Sequence, residues 1–252
     1  MHVTRAFLVD DDARDRAQMR LHLEDAGIEV IEPEATHYGE IDELVADVLR
    51  AHVDITICDH RLQPGRLASF FGAQAVASLV GKEQVALLMT SYSGDVDTTI
   101  RLHRKGIPAV LRRDQLQQAD TLDDVTDAIR REINGIIPPE RALRRTVVRI
   151  GDVSSGEDGL ALDVFITGWR PDQAVRVPAG IVPPEITARG RGLIDLYLVA
   201  EVNTGAVDDS ELFFGSVGPL ADPIDWPATE AGTGVAWPVR EGPVQGVFEV
   251  GP

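Results

Sequence analysis

Residues 5–12 read RAFLVDDD and residues 54–59 read DITICD. Each is a short apolar run that stops at an acid. Phe7, Leu8 and Val9 run into Asp10, Asp11 and Asp12, and Ile55, Thr56, Ile57 and Cys58 run into Asp59. Runs of this length and composition read as buried strands. Two strand ends that deliver carboxylates to one place repel each other unless something cationic lies between them. A Mg²⁺ ion bound through oxygen ligands is the usual remedy. The pair of motifs therefore predicts a metal-dependent phosphate site at the ends of two buried strands.

Working outward, apolar strand-like runs near residues 5–9, 28–31, 54–58, 85–89 and 108–112 alternate with helix-like spacing over 14–26, 39–51, 69–80, 95–105 and 121–134. Met19, Leu21, Leu23 and Ala26 give the first helix an apolar stripe, and Gly27 stops it. Leu44, Val45, Val48 and Leu49 mark the second helix. Val125, Ile129 and Ile133 mark the last, with Gly135 as its stop. Strict alternation of strand and helix predicts a five-stranded, doubly wound parallel α/β sheet with helices on both faces. Ligands of such sheets lie at the carboxyl ends of the strands, where Asp10, Asp59, Thr90 and Arg113 fall.

The texture changes near Ile136, Ile137, Pro138 and Pro139. Helical periodicity gives way to strand-like runs at 146–150, 160–167, 174–177, 193–202 and 211–217, separated by Gly, Pro, Asp and Ser. The predicted organisation is an α/β domain over 1–136, a linker over 137–145 and a smaller mostly-β domain over 146–252, a sandwich or partial barrel. The tail beyond about residue 218 is rich in Gly and Pro.

The chain has 252 residues and a formal net charge of −17. Residues 1–140 hold 25 acids against 15 Lys and Arg, net −10, and residues 141–252 hold 16 against 9, net −7. Neither half offers the basic patch that nucleic-acid binding requires. No apolar stretch approaches the roughly 20 residues that span a bilayer, and the acids interrupt any signal-peptide layout, so a cytoplasmic location is expected. The single cysteine, Cys58, sits in an apolar run and reads as a small buried hydrophobe.

FLVDDDARDRAQMRLHLEDAGIEV, DITICDHRLQPG and LLMTSYSGDVDTTIRLHRKGIPAVLRRDQL together resemble the receiver domain of two-component response regulators, over about residues 3–135. The resemblance implies that Asp59 is the phosphoacceptor and that Mg²⁺ is held by Asp10, Asp11, Asp59 and the backbone carbonyl of Arg61. It implies that the Thr90 hydroxyl contacts the phosphoryl group. It implies a sensor histidine kinase or phosphotransfer protein as partner, and it allows a homodimer through the helices that follow the fourth and fifth strands. Two positions depart from the family. Arg113 stands where the family has a lysine, and a planar fork is not equivalent to an ammonium. Val110 stands where the family has its switch aromatic. Two other readings remain open: a phosphorylation-independent adaptor built on a receiver scaffold, and a Mg²⁺-dependent phosphatase with Asp10 as nucleophile in an Asp-x-Asp motif. Asp12 alone also reads as a helix cap.

All six histidines, both lysines and the cysteine lie in the first 105 residues. The second half therefore lacks the parts of a His–Cys zinc site, a Ser–His triad or a Schiff-base lysine. It reads as an output domain that acts by protein–protein contact, not an enzyme. Phe213 and Phe214 are adjacent, so in a strand one of them is expected to leave the core as a contact surface. Arg141, Arg144, Arg145 and Arg149 form a basic group at the junction that reads as a solvated connector, or as a contact for an acidic partner or for the first domain's own acidic face. Trp169, Trp226 and Trp237 are expected to fill the core of the β domain.

Overall fold

The structure is a computed structural model that describes residues 2–63, 67–90, 98–116, 121–156, 159–188 and 190–220. The tail with Trp226 and Trp237 lies outside the described residues.

Strands β1 (Arg5–Val9), β2 (Glu29–Ile31), β3 (Ile55–Asp59), β4 (Ala86–Thr90) and β5 (Val110–Arg112) form one parallel sheet in the order β2-β1-β3-β4-β5. Because side chains alternate along a strand, each strand supplies both faces. Phe7, Val9, Cys58 and Leu88 pack against helices α2 (Ile41–Ala51) and α3 (Gly72–Gly81). Ala6, Leu8, Ile57, Leu87 and Met89 pack on the other side with residues of α1 (Ala13–Asp25) and α6 (Thr121–Ile133). Between them lie the short α4 (Thr98–His103), a 3-10 turn at Arg104–Gly106, and a short α5 (Arg113–Leu116) that the sequence pattern does not announce.

The helix stripes are narrower than expected. Met19 and Leu23, four residues apart, face the core, whereas Leu21 is 58% exposed. Leu44, Val45 and Val48 are buried and Leu49 points outward. Gly27 and Gly135 end their helices with φ of +81° and +83°, a conformation that costs any other residue a clash at Cβ.

Strands β6 (Arg144–Gly156), β7 (Gly159–Ile166), β8 (Ala174–Pro178), β9 (Tyr197–Val202) and β10 (Phe214–Pro219) form a second, antiparallel sheet in the order β10-β9-β6-β7-β8. Among the described residues this is one sheet, not the sandwich or partial barrel expected. One face is buried by alternation: Val148 and Ile150, Leu162, Val164 and Ile166, Val175 and Val177, Leu198, Ala200 and Val202. The long connection from β8 to β9 covers it with Val182, Ile186 and Leu193, the second of these from helix α7 (Pro184–Thr187). Residues 193–196 belong to this connection, so β9 starts later than the sequence pattern suggested.

The two sheets meet through three buried arginines. Arg101 of α4 donates from Nη1 to the carbonyls of Asp209 (2.8 Å) and Leu212 (3.4 Å). Arg141 donates from Nε to Glu132 (2.8 Å) and from Nη2 to the Lys105 carbonyl (3.0 Å), with its guanidinium 4.6 Å from the centre of the Phe213 ring. Arg104 lies beside them, and burial pulls the pKa values of Arg101 and Arg104 down to about 10. Buried Asn203 ties the connector to this joint. Its Nδ2 donates to the carbonyls of Glu140 (3.0 Å) and Glu211 (3.1 Å), and its Oδ1 accepts from the Phe213 amide (2.7 Å). Two expectations are corrected here. Phe213 and Phe214 are both buried, so neither leaves the core as a free contact surface. Arg141 is a buried joint residue paired with Glu132 of the first domain, which fits the contact with that domain's own acids and not the solvated connector, whereas Arg144 and Arg145 are exposed and Arg149 lies over the Phe165 ring.

Candidate functional site

Parallel pairing of β1 with β3 sets Leu8 against Ile57 and Val9 against Cys58, so the next residues, Asp10 and Asp59, emerge side by side. Pairing of β3 with β4 sets Asp59 against Met89, which places Thr90 at the neighbouring strand end. Thr90 pairs with Arg112 across β4 and β5, and Arg113 follows as the first residue of α5.

Asp10 is 1% exposed and Asp59 is 7% exposed. Asp10 Oδ1 accepts from the Asp12 amide (2.9 Å), and Asp59 Oδ2 accepts from the Arg61 amide (2.8 Å). Arg113 reaches both acids with one nitrogen: Nη2 lies 3.0 Å from Asp10 Oδ2 and 3.4 Å from Asp59 Oδ1. Its other terminal nitrogen, Nη1, lies 3.1 Å from Asp15 Oδ2. Arg112 turns away and pairs with Asp114 (3.0 Å). Val110 is part-buried in the core layer with α2 and α3.

Burial dominates the electrostatics. It pushes the Asp10 carboxyl up to about 6, with the Asp12 amide pulling back, Asp59 repelling and Arg113 attracting. Asp59 is also raised, first by burial, against the pull of the Arg61 amide and Arg113, and with Asp11 adding repulsion. Asp12 behaves differently. It is the N-cap of α1, accepting from the Arg14 (2.8 Å) and Asp15 (3.0 Å) amides, and these bonds lower its pKa.

The donors at these strand ends are all oxygens, and Asp10, Asp11 and Asp59 outnumber the one guanidinium among them. That chemistry fits a hard divalent cation. Arg113 Nη2 lies between Asp10 and Asp59, and among the described residues no group of three or more His, Cys, Asp or Glu stands ready to ligate a metal.

Residues that the sequence reading did not single out complete the site. Gly72, the first residue of α3, donates its amide to the His60 carbonyl (2.8 Å), and a Cβ there would lie 1.9 Å from the Asp59 carbonyl oxygen. The helix can start against the strand end only because this residue has no side chain. Gln74, two residues on, reaches back to the Phe71 amide (3.0 Å), and the Phe71 ring stacks on buried His60 at 5.2 Å. Arg16 donates to the Asp10 carbonyl, and Asp15 pairs with Arg113. A first helical turn carrying Asp15 and Arg16 directly after the acidic cluster is the signal that would have drawn attention to both.

No family model matches the chain, and no curated protein matches it. Solved structures do. The signal receiver domain of a modulated diguanylate cyclase from Desulfovibrio desulfuricans is 21% identical, over 53% of this chain and 98% of that one, with a TM-score of 0.41. A response regulator receiver domain protein from Clostridium thermocellum is 19% identical, over 53% and 96%, with a TM-score of 0.36. The response regulator TrrA from Thermotoga maritima, in complex with Mg²⁺ and BeF, is 15% identical, over 53% and 99%, with a TM-score of 0.36. The same protein in complex with the histidine kinase ThkA is 16% identical, over 50% and 97%, with a TM-score of 0.38. What this chain is similar to, over about half its length, is the receiver domain of response regulators.

Proposed function

We propose that the chain is a response regulator in which Asp59 accepts a phosphoryl group and the second sheet delivers the output by protein contact. The observation that carries this reading is the convergence of Asp10 and Asp59, at adjacent strand ends, on one guanidinium nitrogen of Arg113 at 3.0 and 3.4 Å, with Thr90 at the end of the strand between β3 and β5.

Asp59 is the nucleophile. Its carboxylate attacks phosphorus, an oxygen–phosphorus bond forms, and the bond from phosphorus to the donor's leaving atom breaks. Arg113 supplies a positive charge close to the Asp59 carboxylate. The Thr90 hydroxyl is a donor for a phosphoryl oxygen. Asp10, Asp11, Asp59 and the Arg61 carbonyl would hold Mg²⁺, which when bound supplies the charge neutralisation that lets an anionic donor approach buried carboxylates. The donor partner is a sensor histidine kinase or phosphotransfer protein. The net negative charge of both halves disfavours nucleic acid as the output target.

Incubation of the full chain with a small-molecule phosphodonor and Mg²⁺, read by intact mass, should add one phosphoryl group. Asp59→Asn should abolish the addition. Modification that survives Asp59→Asn and disappears in Asp10→Asn would instead assign the nucleophile to Asp10, as in the phosphatase reading. No modification under any donor would leave the first sheet as a scaffold for the second.

A further inference from the structure

The position that departs from the family, Arg113, has a partner that a lysine could not use in the same way. The guanidinium divides its two terminal nitrogens between different acids. Nη2 serves Asp10 and Asp59, and Nη1 serves Asp15. An ammonium is a single point of charge and cannot make that division. The division is built from below. Asp12 caps α1 and fixes its first turn, which delivers Asp15 to Nη1 while Arg16 holds the Asp10 carbonyl from the same turn. Arg113 is only 20% exposed, and its buried Nε and Nη1 make no aligned hydrogen bond, so the Asp15 contact is one of charge alone. The fork is held but not saturated.

We propose that Arg113 is an internal counter-cation that competes with a divalent metal ion for Asp10 and Asp59, and that Asp15 is the positioning residue that keeps its guanidinium once the metal has displaced it. The inference rests on the reading of these acids as a cation site. A metal ion that takes Asp10 and Asp59 must displace Nη2, and Asp15 gives the displaced charge a place to stay. Asp15 also adds a negative charge near the incoming cation. Both effects have the same sign: Asp15 favours metal binding, and Arg113 opposes it.

The test is a titration of the metal-stripped full chain with Mn²⁺, read by electron paramagnetic resonance, on the parent and six variants. Arg113→Gln should bind Mn²⁺ more tightly than the parent, and Asp15→Asn more weakly, each by about threefold to tenfold, as expected for losing one partly exposed charge contact. Asp15→Glu should restore the parent affinity. In the double variant Asp15→Asn with Arg113→Gln, the Asp15 effect should shrink to the small part due to charge alone. In the Arg113→Lys background the Asp15→Asn effect should shrink in the same way. A residue that merely stabilised the first turn of α1 would shift the melting temperature and leave these affinities alone. Equal affinities throughout, or an Asp15→Asn effect undiminished in the Arg113→Gln background, overturn the proposal while leaving the cation site intact. No binding by any variant, Arg113→Gln included, removes the cation site and the proposal with it. Phosphorylation of Asp59, read by mass on the same samples, reports separately on the proposed function.

Discussion

The two sheets have five strands each and spend their interiors differently. The parallel sheet buries Asp10, Asp59 and His60 at its strand ends. Among the described residues the antiparallel sheet buries Thr146, with Asn203 in the loop after β9, and its inner face is otherwise apolar. Burying a charge is expensive unless it is paired, whereas a hydrogen-bonded amide is close to neutral. The first sheet therefore holds destabilising groups in place, which is how sites for chemistry are built. The second buries neutral groups, and Asn203 makes its hydrogen bonds with backbone groups, the connector's Glu140 carbonyl included.

The largest expected effect tests how tightly the first sheet is built around its site. Gly72→Ala drives a Cβ to 1.9 Å from the Asp59 carbonyl, whereas a Cβ at Gly218 in the second sheet meets nothing within 4 Å. In urea denaturation, Gly72→Ala should lose about 3 kcal/mol and Gly218→Ala should stay within about 0.5 kcal/mol of the parent. Equal losses would mean that the strand end at Asp59 is no more constrained than a sheet edge.

Asn203→Ala comes next. It strips partners from the Glu140 and Glu211 carbonyls and the Phe213 amide at once. A loss of about 2 kcal/mol is expected, with no dependence on pH between 5 and 8. A markedly pH-dependent loss would show that the second sheet also contains a titrating site.

The smallest effect has the opposite sign. The Asp10 carboxyl is raised to about 6 in the folded chain. The folded state thus takes up a proton as pH falls through about 6, while the unfolded chain waits until about 4. This contribution to stability is full below about 4 and lost as pH rises through about 6. Asp10→Asn removes it. With chelator present, the variant should be more stable than the parent at pH 7.5 by about 1 kcal/mol, allowing for screening by nearby solvent, and the gain should vanish near pH 4. A variant that is less stable at pH 7.5 would mean that Arg113 fully offsets the burial of Asp10.

The strand ends were legible because a short apolar run cut off by an acid marks the place where a buried strand reaches the edge of its sheet. Asp10, Asp59, Thr90 and Arg113 stood out at four separate strand ends, and the structure brings Asp10, Asp59 and Arg113 together. What was not legible depends on distances across the fold. Gly72 looks like any glycine until α3 is laid against β3. Asp15 looks like a helix-start acid until Arg113 arrives from a residue 98 positions away. Leu21 sat inside an apparent stripe, but it is two residues from both Met19 and Leu23, about 200° round a helix from each, so it faces solvent when they face the core. In the second half the strands were visible by their alternation. Their closure into one sheet was not, because pairing order is set by connections such as residues 178–193, which carry little periodicity. One of Phe213 and Phe214 was expected to show a free face, and the cover that Phe213 actually has, Arg141, lies 72 residues earlier.

The buried joint has a consequence for how such a chain can be recombined. A receiver followed by a loose tether can exchange its output domain by a cut anywhere in the tether. Here Arg141 of the connector gives hydrogen bonds to α6 and to the turn after α4, and Asn203 of the second sheet takes hold of the connector's own carbonyl. A crossover placed between residues 136 and 144 would strand at least one of these groups on the wrong side. A graft that keeps both halves whole has to carry Arg101, Arg104, Arg141 and the 203–213 loop as a single inherited block.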